Sequence, residues 1–553
     1  MFDRHLKVWP RNVPHHITIP QTNVAYNLEV TATRFPDHPA IIFYGRTLTY
    51  AELRDRVERL AGYLQRRLGV AKGDRVLLYM QNSPHFVIAF QAILRADAVV
   101  VPVNPMNRTA ELEHYVKDTG AKVAICGQEL LSQMAPLAGT ASLERVISAA
   151  YADLADSAYD LPVPEAVQMP PIERFDTPAV IPWAETMQAG EAPASYRAGP
   201  DDWAVLPYSS GTTAAPKGCL HTHRSVMATL VGSVLWRPGQ ANGAALITLP
   251  MFHVTGMQGG MNACIYSGTT MVIMTRWDRR TAAELIQRHR VTGWTSITTM
   301  AIDLVSDPEI RKYDLSSLEM IGGGGAAMPE PVAAKLKELT GLDYIEGYGL
   351  SETMAATHIN PTEAPKRQCL GIPVFDVDAR VVDVETKQPL GSGQVGEIVM
   401  RGPQIFQGYW NNPAATEAAF LTLDGERFFR TGDLGYYDED GYFFIVDRVK
   451  RMINASGFKV WPTEVEALMH RHPAVSEVCV VSAPDARRGE TVKAYIVPTQ
   501  EARGKVTEEE IAAWCAETMA AYKCPRIVTF VESLPRSGTG KLNWRALQER
   551  EWA

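Results

Sequence analysis

Tyr208–Gly218 reads YSSGTTAAPKG and follows directly on the apolar Ala204, Val205 and Leu206. This is the composition of a loop that holds phosphate. Gly211 and Gly218 let backbone N–H groups come close to an anion, Ser209, Ser210, Thr212 and Thr213 add hydroxyl donors, and Lys217 adds a positive charge. It is not a Walker A loop, because Pro216 stands where that motif needs its second glycine and Gly218 where it needs a hydroxyl. A Ser/Thr/Gly run by itself also suits a plain surface loop, so the decision passes to the residues on either side.

At 553 residues the chain exceeds what one hydrophobic core supports, and more than one domain is expected. Hydrophobic residues make up 46% and charged residues 21%, as in ordinary globular proteins. A formal charge of −8 offers no basic surface for nucleic acid. The opening MFDRHLKVWPRNVPHH lacks an apolar core, so neither a secretory signal nor a membrane anchor is expected there. Apolar runs such as Phe86 to Leu94 are too short to span a bilayer. The seven cysteines are scattered and lack CxxC spacing, which predicts free thiols in a reducing, cytoplasmic setting. Cys219 has no base beside it in sequence and reads as a packing residue.

Arg75 to Met80 reads as a buried strand, Ser83-Pro84 as an N-cap with proline at the first helical position, Phe86 to Leu94 as the helix, and Ala98 to Val103 as a second strand. That βαβ crossover predicts a parallel sheet. A helix from about Thr109, closed by Gly120, and a strand Lys122 to Cys126 repeat the pattern. From about Met134 to Gly199 the Ala-, Pro- and acid-rich sequence reads as a surface excursion. Near the C-terminus, Thr463-x-x-Glu466 and Thr507-x-x-Glu510 predict capping boxes, and Val475 to Val481 and Val492 to Val497 predict strands, together a small α+β domain.

One run admits two readings. In IGGGGAAMP, Ile321 to Pro329, Gly322, Gly324 and Ala327 fit the dinucleotide fingerprint, with the strand-like Leu318 to Ile321 before it and Asp343 as the acidic residue downstream. On that reading the chain is a nicotinamide-dependent oxidoreductase. A lone fingerprint is a weak signal, and here it stands far from the N-terminus where it usually occurs.

The order of motifs decides between them. TLTYAEL (Thr47–Leu53), VPVNPMN (Val101–Asn107), the phosphate loop, LPMFHVTGM with His253, IGGGGAAMP, YGLSET (Tyr348–Thr353), FFRTGDLG with Asp433, DRVK (Asp447–Lys450) and PRSGTGK ending at Lys541 follow one another. In that order they resemble the adenylate-forming superfamily, which comprises acyl- and aryl-CoA synthetases, peptide-synthetase adenylation domains and beetle luciferases. The nearest likeness is to acyl-CoA synthetases of the fatty-acid–CoA ligase kind. The resemblance implies a mixed fold of α/β and α+β parts. A large N-terminal domain, residues 1–447, would hold βαβ-type sheets and a distorted β-barrel, and a hinge at 448–450 would lead to a small mobile lid, 451–553.

It also implies roles. Ser209, Ser210, Gly211, Thr212, Thr213 and Lys217 would hold ATP phosphates. Gly324, Gly325, Tyr348, Gly349 and Ser351 would meet the adenine and α-phosphate, Asp433 and Arg448 the ribose and phosphate, and Glu352 a Mg²⁺ ion. His253 would lie beside the carboxylate and Lys541 would bridge carboxylate and α-phosphate. Lys450 would be the hinge, Ser456 and Gly457 would line the CoA path, and Met257, Gly322 and Gly323 would line the acyl pocket. Ser351 stands where the family more often has threonine, and Met257 where some long-chain members have a gating tryptophan. The implied reaction converts a carboxylic acid to acyl-AMP with ATP and Mg²⁺, then to a thioester with CoA. The glycines and Met257 favour a medium- or long-chain fatty acid, with an aryl or alicyclic acid second. The absence of an appended carrier domain favours free CoA. The presence of Glu352, Asp433, Arg448 and Lys541 argues against a catalytically dead binding protein. Peripheral membrane contact and a homodimer are left open by the sequence.

Overall fold

The computed structural model describes the whole chain except residues 1, 210–215, 237–242, 326, 456–457, 486–488, 537–541 and 553, and the side chains of 458–459. By its internal contacts the chain divides into two units, one of residues 1–378, 401–429 and 440–442, the other of 379–400, 430–439 and 443–553.

In the larger unit the first crossover forms as the sequence dictates. Strand Arg75–Tyr79 leads to Ser83, whose hydroxyl caps the helix Pro84–Arg95 by accepting from the Phe86 N–H at 3.2 Å. Strand Val99–Pro102 then pairs in parallel with Arg75–Tyr79. The helix is buried on every side, which its all-round apolar sequence requires. Helix Thr109–Thr119 ends at Gly120, whose φ of +62° suits glycine. These strands belong to a seven-stranded sheet in the order His221–Thr222, Trp203–Val205, Val99–Pro102, Arg75–Tyr79, Val123–Gly127, Arg145–Ala149, Val180–Pro182.

The last two strands correct the expectation of a surface excursion between Met134 and Gly199. Val146, Ile147 and Val180 are buried and continue the parallel ladder. Their apolar runs are too short to stand out against the Ala- and Pro-rich sequence around them.

A nine-stranded sheet lies in the same unit, ordered Ile372–Pro373, Ala355–Ile359, Tyr344–Leu350, Met320–Gly324, Gly293–Ser296, Ala244–Ile247, Thr270–Ile273, Pro39–Phe43, Arg46–Thr49. One hydrophobic core joins side chains of both sheets with helices Tyr50–Arg66, Pro84–Arg95 and His223–Trp236, among them Leu78, Val100, Phe90, Met227 and Met271. All seven cysteines are free thiols and six are buried. No described helix is long and apolar enough to cross a membrane.

Most of the smaller unit's first sheet lies in strands Asp378–Val382, Gly396–Arg401, Glu426–Tyr437 and Phe443–Arg448, which pair in that order, with residues 378, 401 and 426–429 assigned to the larger unit. A second sheet has Gly489–Pro498 at its centre, bordered by Ile453–Ala455, Val475–Asp485 and Ile527–Phe530. Thr507 and Glu510 form the expected capping box. Thr463 and Glu466 do not. That helix starts at Pro462, the Thr463 N–H donates to Asp447 at 2.8 Å, and Glu466 instead accepts from the Val480 N–H at 2.8 Å and pairs with Arg451.

Candidate active site

The phosphate loop stands on a built stem. Lys217 and Gly218 pair antiparallel with Ser209 and Tyr208, while Ser210, Gly211, Thr212 and Thr213 lie outside the described residues. Tyr208 donates to Asp118 at 2.5 Å, and burial together with that carboxylate pushes its phenol far up, so it stays a donor. His114 contacts the Pro216 carbonyl through Nε2 at 3.0 Å. Behind the stem Cys219 is fully buried and its thiol pKa is raised by desolvation, which makes it inert.

The stem is tied to the YGLSET segment by a residue that the sequence reading missed. The Lys217 ammonium lies 5.1 Å from the centre of the Tyr409 ring, and the Tyr409 hydroxyl donates to Glu352 Oε1 at 2.8 Å. Cation, ring and carboxylate form one chain from the phosphate loop to the expected Mg²⁺ ligand. Two further contacts seat the turn Ser351–Thr353. The Phe406 N–H donates to the Glu352 carbonyl at 2.9 Å, and the buried His221 donates from Nε2 to the Ser351 carbonyl at 2.7 Å. Burial lowers the His221 pKa to about 4, so the ring is neutral, with Nδ1 3.2 Å from the Ser225 hydroxyl. The chain leaves this turn through Met354 and Ala355 at φ of +48° and +82°, a strained path for residues with a Cβ.

The glycines serve close packing of strands. Gly323 and Gly324 lie inside strand Met320–Gly324, where an added Cβ would come within 1.9 Å of the Ser296 carbonyl oxygen and 2.2 Å of the Gly347 carbonyl oxygen. The dinucleotide fingerprint needs its glycines in a turn between strand and helix, and here Gly322 and Gly324 are strand residues, Gly322 paired on both sides and Gly324 with Gly347. That corrects the oxidoreductase alternative. Gly325 follows at φ +89°. Gly349 packs equally closely, with the Ala355 carbonyl oxygen 1.8 Å from a Cβ there. Tyr348 is mostly buried, its ring edge-on to His358 at 5.8 Å. Glu346, whose carboxyl is raised by burial, accepts from Met328 N–H at 2.9 Å and Gln368 N–H at 2.8 Å and so fixes the chain on either side of the site.

His253 begins the last local group. It is half-buried, and its carbonyl accepts from the Met257 N–H at 2.9 Å as the chain enters the π-helix Gly256–Asn262. Such wide turns are frequent at functional sites. The π-helix and the strand Ala244–Ile247 enclose a cavity of about 300 Å³, with Gly256, Gly259, Gly260 and Ala263 on one side and Ala245, Ile247 and Thr295 on another. Among the described residues its lining contains no Asp, Glu, Lys, Arg or His. Met257 is packed in the core, and neither it nor Gly322 or Gly323 contributes to that lining. The loop before His253 is held by Asn82, also missed in sequence, whose side chain accepts from the Met251 N–H and donates to the Leu249 carbonyl.

Asp433 and Arg448 belong to the smaller unit. They face each other across paired strands, with Nε of Arg448 2.6 Å from Oδ1 of the buried Asp433. Lys450 lies in the single helical turn Val449–Arg451 that follows. Lys541, Ser456 and Gly457 lie outside the described residues.

A carboxylate beside a phosphate loop and a cavity next to a histidine, with no charged side chain among its described lining residues, suit the activation of an acid by a nucleotide. Residues 28–410 match the family described as AMP-binding enzyme, and residues 464–541 match the AMP-binding enzyme C-terminal domain. The chain belongs to the AMP-binding enzyme family. The long-chain-fatty-acid–CoA ligase of Bacillus subtilis (strain 168) is 34% identical over 99% of this chain and 98% of its own. Among solved structures, ATP-bound MatB from Rhodopseudomonas palustris superposes with a TM-score of 0.81 at 27% identity, covering 96% of this chain and 99% of that one. The anthranilate CoA ligase AuaEII in complex with anthranoyl-AMP gives 0.80 at 25%, covering 98% of each. As a member of the AMP-binding family, the chain is an AMP-forming acid–CoA ligase.

Proposed function

We propose that this ligase activates medium- to long-chain fatty acids. The cavity carries the reading. It begins at Thr255 and Gly256, beside His253, and among its described residues offers no side chain of opposite charge to a second carboxylate or an amino group on the substrate. An alkyl chain needs none.

The carboxylate oxygen of the acid attacks the α-phosphorus of ATP, and the bond to the bridging oxygen of pyrophosphate breaks. Two anions must approach. Lys217 in the phosphate loop and Lys541 are the cations that offset their repulsion, Lys541 between carboxylate and α-phosphate. Ser209, Ser210, Gly211, Thr212 and Thr213 hold the phosphates, with Gly324, Gly325, Tyr348, Gly349 and Ser351 around the nucleotide. Among the described residues no cluster of three or more His, Cys, Asp or Glu side chains could hold a metal. The single carboxylate of Glu352 therefore suits Mg²⁺ that arrives on the nucleotide's own phosphates. Bound there, Mg²⁺ would neutralise charge on the departing pyrophosphate.

In the second step the CoA thiol attacks the acyl carbonyl and AMP departs. The lid, 451–553, turns about Lys450 at the end of the 448–450 hinge, withdraws Lys541 and presents Ser456 and Gly457 to the pantetheine path. Asp433 and Arg448 attend the ribose and phosphate.

Pyrophosphate release with MgATP and CoA, across saturated fatty acids of increasing length plus benzoate, cyclohexanecarboxylate and malonate, tests the reading. A maximum along the fatty-acid series is expected. Activity confined to the ring acids or malonate would overturn it.

A further inference from the structure

The residues before the first long helix take no part in the reaction above, yet they are fastened along their length. The Phe2 N–H donates to Asp378 at 2.9 Å, Lys7 pairs with Asp440 at 3.3 Å, and Arg11 with Glu363 at 3.6 Å. The Trp9 ring stands edge-on to Trp236 and Phe375, with centroids 4.9 and 5.5 Å away. Beyond it, Asp376 receives His16 Nδ1 at 2.5 Å and the Ile17 N–H at 3.3 Å. Between these anchors the strap turns sharply. Trp9 donates from Nε1 to the Val13 carbonyl at 3.0 Å, and Asn12 adopts φ +63°, a conformation asparagine tolerates better than most residues. The turn brings Asn12 and Pro14 into the cavity wall with Ser233, Val234 and Leu235.

Three helices show which end of the cavity this is. Helix Tyr26–Arg34 and helix His223–Trp236 run in the same direction, since Val24 meets His223 at 3.1 Å and Asn27 meets Met227 at 3.2 Å. The segment that begins at His253 runs the same way, because Gln258 donates to the Val226 carbonyl at 2.9 Å and Thr31 to the Ile265 carbonyl at 2.7 Å. Leu235 thus lies nine residues beyond Val226, about 13 Å along the helix and away from His253. The strap lines the end opposite the reacting carboxylate.

We infer that Asn12 to Pro14 form the end wall of the acyl cavity and set the longest chain the ligase accepts. This rests on the cavity being the acyl site. The test compares kcat/KM across the saturated acids for the wild type, Asn12→Gly, Trp9→Ala and Gly259→Leu. Asn12→Gly keeps the positive φ and removes the side chain, and Trp9→Ala frees the strap from its aromatic anchor. Each is expected to raise kcat/KM about tenfold for the first acids beyond the wild-type cut-off, which is what one accommodated methylene is worth in an apolar pocket, with shorter acids unchanged. Gly259 has only Thr295 Oγ1 within 4.0 Å of an added Cβ, so leucine there enters the cavity and shortens the accepted chain. A shorter cut-off in Gly259→Leu with a wild-type profile in both strap variants would overturn the strap inference alone. An unchanged profile in Gly259→Leu would overturn the acyl-site reading and the inference with it.

Discussion

Asn82 holds the backbone of Met251. Its side-chain oxygen accepts the Met251 N–H at 2.8 Å, its nitrogen donates to the Leu249 carbonyl at 2.9 Å, and its own carbonyl accepts from Thr275 at 2.9 Å. The far side of that loop is equally constrained, because Gly256 packs so closely that an added Cβ would sit 2.3 Å from the Pro250 carbonyl oxygen. One amide from the loop after strand Arg75–Tyr79 therefore sets where His253 and the cavity mouth stand.

Asn82→Ala leaves the buried Met251 N–H and Leu249 carbonyl without these partners, at about 1–3 kcal/mol each. The expected kinetic result is a rise in KM for the acid of about ten- to a hundredfold with KM for ATP little changed. Asn82→Asp retains the acceptor for Met251 and should fall between the two. Equal changes in both KM values would remove the positioning role.

Glu352 and Tyr409 should act together on magnesium. Glu352→Gln is expected to raise the Mg²⁺ concentration needed for half-maximal pyrophosphate release strongly. Tyr409→Phe, which removes one hydrogen bond to that carboxylate, should change it by about tenfold or less. A Mg²⁺ titration of both variants decides the point, and an unaltered requirement in Glu352→Gln would exclude it as a ligand.

The two half-reactions should separate by mutation. Lys541→Ala should lower acyl-AMP formation by about two to three decades and leave thioester formation from supplied acyl-AMP largely intact. Lys450→Pro restricts the backbone at the hinge and should slow the second step with little effect on the first. Single-turnover assays of each step measure this. Parallel losses in both steps would contradict the division of labour.

Acid should destabilise the fold through its buried histidines. His85 is fully buried against Trp183, 4.9 Å between ring centres, and neither ring nitrogen has a partner among the described residues. Burial lowers its pKa to about 3, and that of His221 to about 4. In the unfolded chain these rings take up protons near pH 6.5 while the folded protein resists, so the unfolded state gains stability as pH falls from 6.5. Each such histidine costs about 1.4 kcal/mol per pH unit in that window. The melting temperature should therefore drop from pH 7 to pH 5, and His85→Leu should make the slope shallower. An identical slope in the variant would assign the acid sensitivity elsewhere.

Local signals were legible in the sequence. Ser83-Pro84 and Thr507 with Glu510 cap their helices through partners three residues away. Thr463 was misread because its N–H is taken by Asp447, sixteen residues earlier, and no local pattern announces that. Tyr409 reaches Glu352 across 57 positions and Asn82 reaches Met251 across 169, so both depend on the completed fold. The glycine run was legible as a demand for space. Whether the space served a phosphate turn or a neighbouring strand depended on the register with Ser296 and Gly347.

A cavity with no charged side chain among its described residues, if it is the acyl site as proposed, sorts metabolites by their hydration. A fatty acid would leave only loosely held water behind on entering it. The same chain ending in a second carboxylate would have to shed a tightly bound shell and find no compensating ion among the described lining residues. Oxidation at the far end of a fatty acid would thus act as an exit mark, turning a substrate into a molecule this ligase leaves to other enzymes.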